Sequence, residues 1–243
     1  MISRGLAVLA LIQAWEFLRL WRSISNDGVW RWPELQSSGL FPSTLSIFLS
    51  SRAFVILNLI RIPVSIFVFN TPNPIALTAL LVMHVLTLLR WLGTFNGGSD
   101  YMNLLLLWAT TLGFLSDHLG KIAIWYMALN LCLSYFKAGF YKVRNHHWRN
   151  GNALSEFLGS PMYARSSLVD LSGRRPLLNR FGSWFVIAFE LSFPIALIHT
   201  HLAMGYLIMG LGFHLLNAYF FGLNRFLFAW LSAYPALLHC ASR

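Results

Sequence analysis

The sequence predicts an all-α fold, a polytopic integral membrane bundle of about eight transmembrane helices with no soluble domain. Three observations predict it. The chain is 57% hydrophobic and only 11% charged, whereas a soluble domain has about a quarter of its residues charged. Its 20 Phe and 10 Trp suit lipid contact and interfacial belts. Its apolar residues gather into long stretches, with most basic residues in the loops between them.

A span needs about 20 largely apolar residues. The stretches near 3–21, 51–69, 74–93, 101–117, 121–141, 181–198, 202–221 and 224–241 supply them. Each is expected to be a helix, because only intra-segment hydrogen bonds satisfy a lipid-facing backbone. In the first, Glu16 and Arg19 interrupt the apolar run and no A-x-A-like site follows, so no cleavable signal peptide is expected. The loop 22–50 carries Trp30, Trp32 and Pro33, which suggests an ordered interfacial segment. The loop 143–180 holds Arg144, Arg149, Arg165, Arg174, Arg175 and Arg180, and short interfacial helices are expected in it. No internal repeat is visible, and residues 1–243 read as one transmembrane domain.

Ionisable residues inside spans are candidate functional sites. Arg61 lies mid-span beside Pro63 and one turn from Asn58, and a structural ion pair with Glu16 or Glu190 stands beside a catalytic role as its reading. His84 reads as a core histidine. Arg90, near a helix end, can snorkel. In the fifth span Asn130, Ser134, Lys137 and Tyr141 fall at i, i+4, i+7 and i+11 on one helical face. Tyr135, Ala138 and Lys142 form another face, about 140° away. A desolvated lysine can serve as a general base, and one that reaches head groups or a carboxylate is structural. Spacing leaves both readings open. In the sixth span "FELSFP" sets Glu190 four residues before Pro194, which frees a carbonyl and kinks the helix. Arg61 or Lys137 is the expected partner of Glu190. In the seventh, Gly210, His214, Asn217 and Phe221 share a face, and His214 with Asn217 can donate to a ligand.

Composition and motifs also exclude. A net charge of +10 suits anionic head groups better than nucleic acid, because no basic, aromatic-interleaved module is present. Cys132 and Cys240 form no CxxC and read as small buried hydrophobes. The pairs His146–His147 and His199–His201 lack metal-ligand partners at diagnostic spacing, so no metal is expected. Neither a P-loop nor G-x-S-x-G occurs. With no inverted repeat, a transporter has less support. The positive-inside rule puts the arginine-rich loop in the cytoplasm.

Four of these segments resemble, in order, blocks of the horizontally transferred transmembrane domain family, which includes the membrane part of vitamin K-dependent gamma-carboxylase. They are "NGGSDYMNLLLLW" (Asn96 to Trp108), "YFKAGFYKV" with Trp148 and Gly151 after it, "FELSFP", and "FHLLNAYFFGLNRFLF". The resemblance covers about residues 50–240. It implies that Lys142, not Lys137, matches the lysine proposed to deprotonate a hydroquinone, and so implies a quinone or hydroquinone cofactor. It also implies the opposite orientation for the lysine block. The chain departs from the carboxylase in carrying Ser99 and Asp100 where that enzyme has a histidine, and in ending at Arg243 soon after the last span. A complete gamma-glutamyl carboxylase is therefore not expected. Bacterial members of the family resemble this chain in length, which implies a multi-pass protein of the bacterial inner membrane.

Two functions follow as expectations. One is a carboxylase-like or oxygenase-like membrane enzyme acting on a quinol, a lipid or a membrane-associated peptide. Lys142 and His214 would then be catalytic, with Asp100, Asn130, Ser134, Lys137, Tyr141, Glu190 and Asn217 lining the site. That reading requires Lys142 and His214 to open onto a common apolar cavity. The other is a non-enzymatic accessory protein that holds a lipid, a partner peptide or another subunit, for example in peptide toxin maturation or export. Its partners would be membrane lipids, and a peptide or a separately encoded soluble protein.

Overall fold

The computed structural model describes residues 1–37, 45–159 and 175–243. Among the described residues the regular secondary structure is all helical, and a long helix stands at each of the eight expected stretches. They are α1 (Ile2–Arg19), α2 (Ser51–Asn70), α3 (Pro74–Arg90), α4 (Gly98–Gly113), α5 (Asp117–Arg144), α6 (Pro176–Ser192), α7 (Thr200–Phe221) and α8 (Asn224–Ala241). Among the described residues, four segments are long and apolar enough to cross a membrane: Ser51–Asn70, Asp117–Arg144, Pro176–Leu197 and Thr200–Phe221. Helix α3 is apolar but shorter.

Local chemistry sets the ends. Ser50 caps α2 by accepting from the Ala53 amide at 3.4 Å. Asn73 caps α3 by accepting from Ala76 at 2.9 Å, and Pro74 follows at the first helical position, where its missing N–H costs nothing. Ser116 accepts from the Leu119 amide at the start of α5, and Gly222, with φ +68°, ends α7 in the left-handed region. Pro194 acts as its chemistry requires. The α-helix stops at Ser192 and a 3₁₀ turn, Phe193–Leu197, takes over where the proline has no amide to donate. The described parts of both long loops contain short helices. Trp32–Gln36 is a short helix with Pro33 in its first turn, and its Arg31 donates to Glu34, which raises the guanidinium pKa above its ordinary value. His146–Arg149 and Asn152–Gly159 are helical in the second loop. Arg165 and Arg174 lie outside the described residues.

The chain packs as two compact units. One comprises Met1–Ile124 with Phe228–Ser232, the other Trp125–Leu227 with Ala233–Arg243. In the first, α1 lies along α2, and α3 packs on α2 and α4. The buried face of α1 is small, with Ala7, Ala10 and Ala14 fully covered. That face lets the helices approach closely, and a Cβ on Gly5 would meet the Ser232 hydroxyl at 2.2 Å. Phe17, Ile24 and Phe54 form a hydrophobic core with Leu20, Trp91 and Phe95 packed on it, and Phe17 stacks on Trp91 with ring centroids 5.7 Å apart.

In the second unit the buried face of α5 includes Met127, Ala128, Leu131, Cys132 and Tyr135. Tyr135 stacks on Phe193 of the 3₁₀ turn at 3.9 Å. Gly139 brings α5 against α6 so closely that a Cβ would sit 2.8 Å from the Leu191 amide nitrogen and 2.9 Å from the Glu190 Cβ. Helix α7 buries Ala203, Gly210 and His214, which share one face, and exposes Leu202, Met204, Ile208, Leu215 and Leu216. Cys132 and Cys240 are buried and free.

Candidate functional site

The face of α5 that packs is the one carrying Tyr135, Gly139 and Lys142, at i, i+4 and i+7. Lys142 Nζ lies 2.6 Å from both Oε1 and Oε2 of Glu190 on α6. The pair is largely covered, with side-chain exposures of 18% for the lysine and 4% for the glutamate. The Trp148 ring completes the enclosure, its centroid 5.1 Å from Nζ. The sequence expected Arg61 or Lys137 as the partner of Glu190, and the structure corrects this to Lys142. The reason is register: Gly139 permits the close approach of α5 and α6, and Lys142 is one turn further along the same face. Lys142 therefore neither snorkels nor stands alone.

A second polar cluster lies on the same α5 face. Tyr135 Oη and His214 Nε2 are hydrogen-bonded at 2.7 Å, and the Tyr135 and Tyr234 hydroxyls at 3.1 Å. Gly210, one turn before His214, makes room for both hydroxyls, since a Cβ there would lie 2.4 Å from Tyr234 Oη and 3.2 Å from Tyr135 Oη. Gly210→Ala is therefore expected to lower stability by about 1–3 kcal/mol through overpacking. Tyr234→Phe, which deletes the nearest atom, should restore most of that loss. Thermal unfolding of the two single variants and the double variant checks it, and purely additive effects would contradict the geometry.

The polar stripe on the other face of α5 is arranged differently. Asn130 donates to the Tyr126 carbonyl and Ser134 to the Asn130 carbonyl, both within the helix. Lys137 and Tyr141 are exposed. These four candidates are not brought to the Lys142–Glu190 pair. Asn217 is half-buried on α7. Asp100 lies in the first unit, where its Oδ2 accepts from the Asn96 amide at 2.7 Å and its carbonyl oxygen lies 2.9 Å from His84 Nε2.

That first unit holds a polar network of its own around Arg61, which is fully buried. Its Nη1 donates to Gln13 Oε1 at 3.0 Å and Asn58 Oδ1 at 3.1 Å, and its Nη2 to the Met83 carbonyl at 2.8 Å and Thr87 Oγ1 at 2.6 Å. His84 extends it, with Asn103 Nδ2 3.2 Å from Nδ1. Sequence reasoning missed Gln13, Thr87 and Asn103, which are uncharged and so fall outside a search for ionisable residues in spans. It also missed Tyr234 and Trp148 as partners. Gly139 was the signal for the ion pair, because a glycine one turn before a lysine in an apolar helix marks a close helix approach.

A groove of about 390 Å³ runs between α6 and α7. Phe185, Phe189, Leu202, Tyr206 and Met209 supply most of its apolar wall, with Ser192 and Gly205 in the lining, and neither Lys142 nor His214 is among the lining residues. The histidine pairs make other contacts. His199 caps α7 by accepting from the His201 amide, and His147 Nδ1 lies 3.9 Å from Glu156. Among the described residues no group of three or more His, Cys, Asp or Glu is placed to hold a metal ion. No family model, curated protein or solved structure matches the chain.

Proposed function

We propose that this chain is a multi-pass integral membrane protein, with all eight long helices spanning the bilayer of a bacterial inner membrane, and that it is a binding or accessory protein. The reading follows the resemblance to the horizontally transferred transmembrane family for its architecture, and departs from that family's carboxylase for its chemistry. The observation that carries it is the Lys142–Glu190 pair. An ammonium that donates to both oxygens of one carboxylate at 2.6 Å is a structural charge and not a free base. The ligand is an apolar chain, of a lipid or of a membrane peptide, seated in the groove between α6 and α7. Its walls are aromatic and aliphatic, and the apolar face of α7 is left exposed beside it.

Native mass spectrometry of gently extracted protein tests this. The wild type is expected to carry a stoichiometric lipid or peptide adduct. Gly205 lines the groove, and a Cβ there meets nothing within 4 Å, so Gly205→Phe should fill the groove, leave the thermal midpoint unchanged and abolish the adduct. An adduct that survives Gly205→Phe contradicts the reading.

A second reading is a quinol-directed enzyme, favoured by the Tyr135–His214–Tyr234 chain, whose hydroxyls and imidazole form a continuous path for a proton. In it a quinone is the cofactor, His214 is the proton carrier, and Lys142 acts only after release from Glu190.

A further inference from the structure

Arg90 ends α3 without reaching water. Its exposure is 0%, which corrects the expectation that it snorkels. Its Nη2 donates to the Trp30 carbonyl at 2.7 Å, while Nε and Nη1 have no hydrogen-bond partner among the described residues. The indole nitrogen of the next residue, Trp91, is buried and equally without an acceptor. Aromatic rings surround the guanidinium, with centroids 5.2 Å (Trp91), 5.4 Å (Trp32) and 5.7 Å (Phe54) from Cζ. They stabilise its charge but accept no conventional hydrogen bond. The carboxylates in salt bridges among the described residues are Glu34, Glu190 and Glu156, none of them with Arg90. A buried cation with idle donors is costly, so the fold maintains here a charge that nothing described neutralises. Leu92 follows at φ +56° and closes α3, its amide donating to the Leu89 carbonyl and that of Gly93 to the Leu88 carbonyl.

We propose that Arg90 and Trp91 form a phosphate-type oxyanion site in the first unit, with Nε, Nη1 and the indole N–H as donors. A phosphate group brings the negative charge and the several acceptor oxygens that these donors lack, and arginine presents N–H pairs suited to it. Two sources carry that chemistry, a phospholipid head group and a free phosphate. Trp30, Trp32 and Trp91 around the arginine are of the type that gathers at head-group depth.

The test uses the full chain in a neutral detergent. Its thermal midpoint is followed against inorganic phosphate, with chloride at matched ionic strength as the control, and separately against phosphatidic acid or phosphatidylglycerol in mixed micelles. A saturable rise is expected with at least one of the two, and which one identifies the source. Trp91→Phe keeps an aromatic ring, though a smaller one, and removes the N–H, and should raise the half-saturating concentration about tenfold, as should Arg90→Lys, which keeps the charge. If Arg90→Lys does not fold, Trp91→Phe decides alone. The absence of a saturable rise with either ligand, or a rise unchanged in Trp91→Phe, overturns the proposal.

Discussion

Lys142→Met is expected to lower the stability of the chain by about 3 kcal/mol, because it leaves the Glu190 carboxylate buried with its ammonium removed. Breaking one side of a buried pair is far more costly than removing both. Lys142→Met combined with Glu190→Leu should therefore regain most of the loss, since two apolar side chains in an apolar interface need no partner. Glu190→Leu alone should cost less than Lys142→Met. The freed lysine retains Trp148 beneath its ammonium and is the more exposed of the two. Thermal unfolding of the wild type, both single variants and the double variant in one detergent gives the coupling directly. If the two single losses simply add, the pair is not a structural clamp.

The second large effect is expected at Arg61. Its guanidinium makes hydrogen bonds to Gln13, Asn58, the Met83 carbonyl and Thr87, which joins α1, α2 and α3 at one point. Arg61→Met removes all of these and takes their charged donor from the buried Gln13 and Asn58 amide oxygens, a loss of about 3–5 kcal/mol. For a chain of this length the thermal midpoint should fall on the order of 10 °C. Arg61→Lys should recover less than half of that, because one ammonium cannot replace two nitrogens held apart in a plane. Gln13→Ala, which removes a single acceptor, should cost about 1 kcal/mol. A midpoint in Arg61→Met within about 2 °C of the wild type would mean that the network is incidental.

The helices were legible because their cause is local. Apolar runs and Pro194 within "FELSFP" act locally, and the structure shows helices and a 3₁₀ break at those places. Pairing was not legible, because it depends on which face of a helix meets its neighbour. The 100° rule separated Lys137 from Lys142 but could not say which face was inside. Gly139 decides that, by permitting a contact that any side chain would block. Arg90 failed for the opposite reason. A terminal arginine usually reaches water, and only the ring of Trp32, Phe54 and Trp91 around it, drawn from three separate segments, keeps it covered.

The most direct measurement is native mass spectrometry of the Lys142→Met/Glu190→Leu double variant beside the wild type. If the pair is structural and the groove between α6 and α7 is the binding site, the double variant folds and carries the same adduct in the same proportion. A double variant that folds as stably as the wild type but loses the adduct, or carries it as an unconverted precursor of what the wild type holds, would place Lys142 in the chemistry and contradict the account.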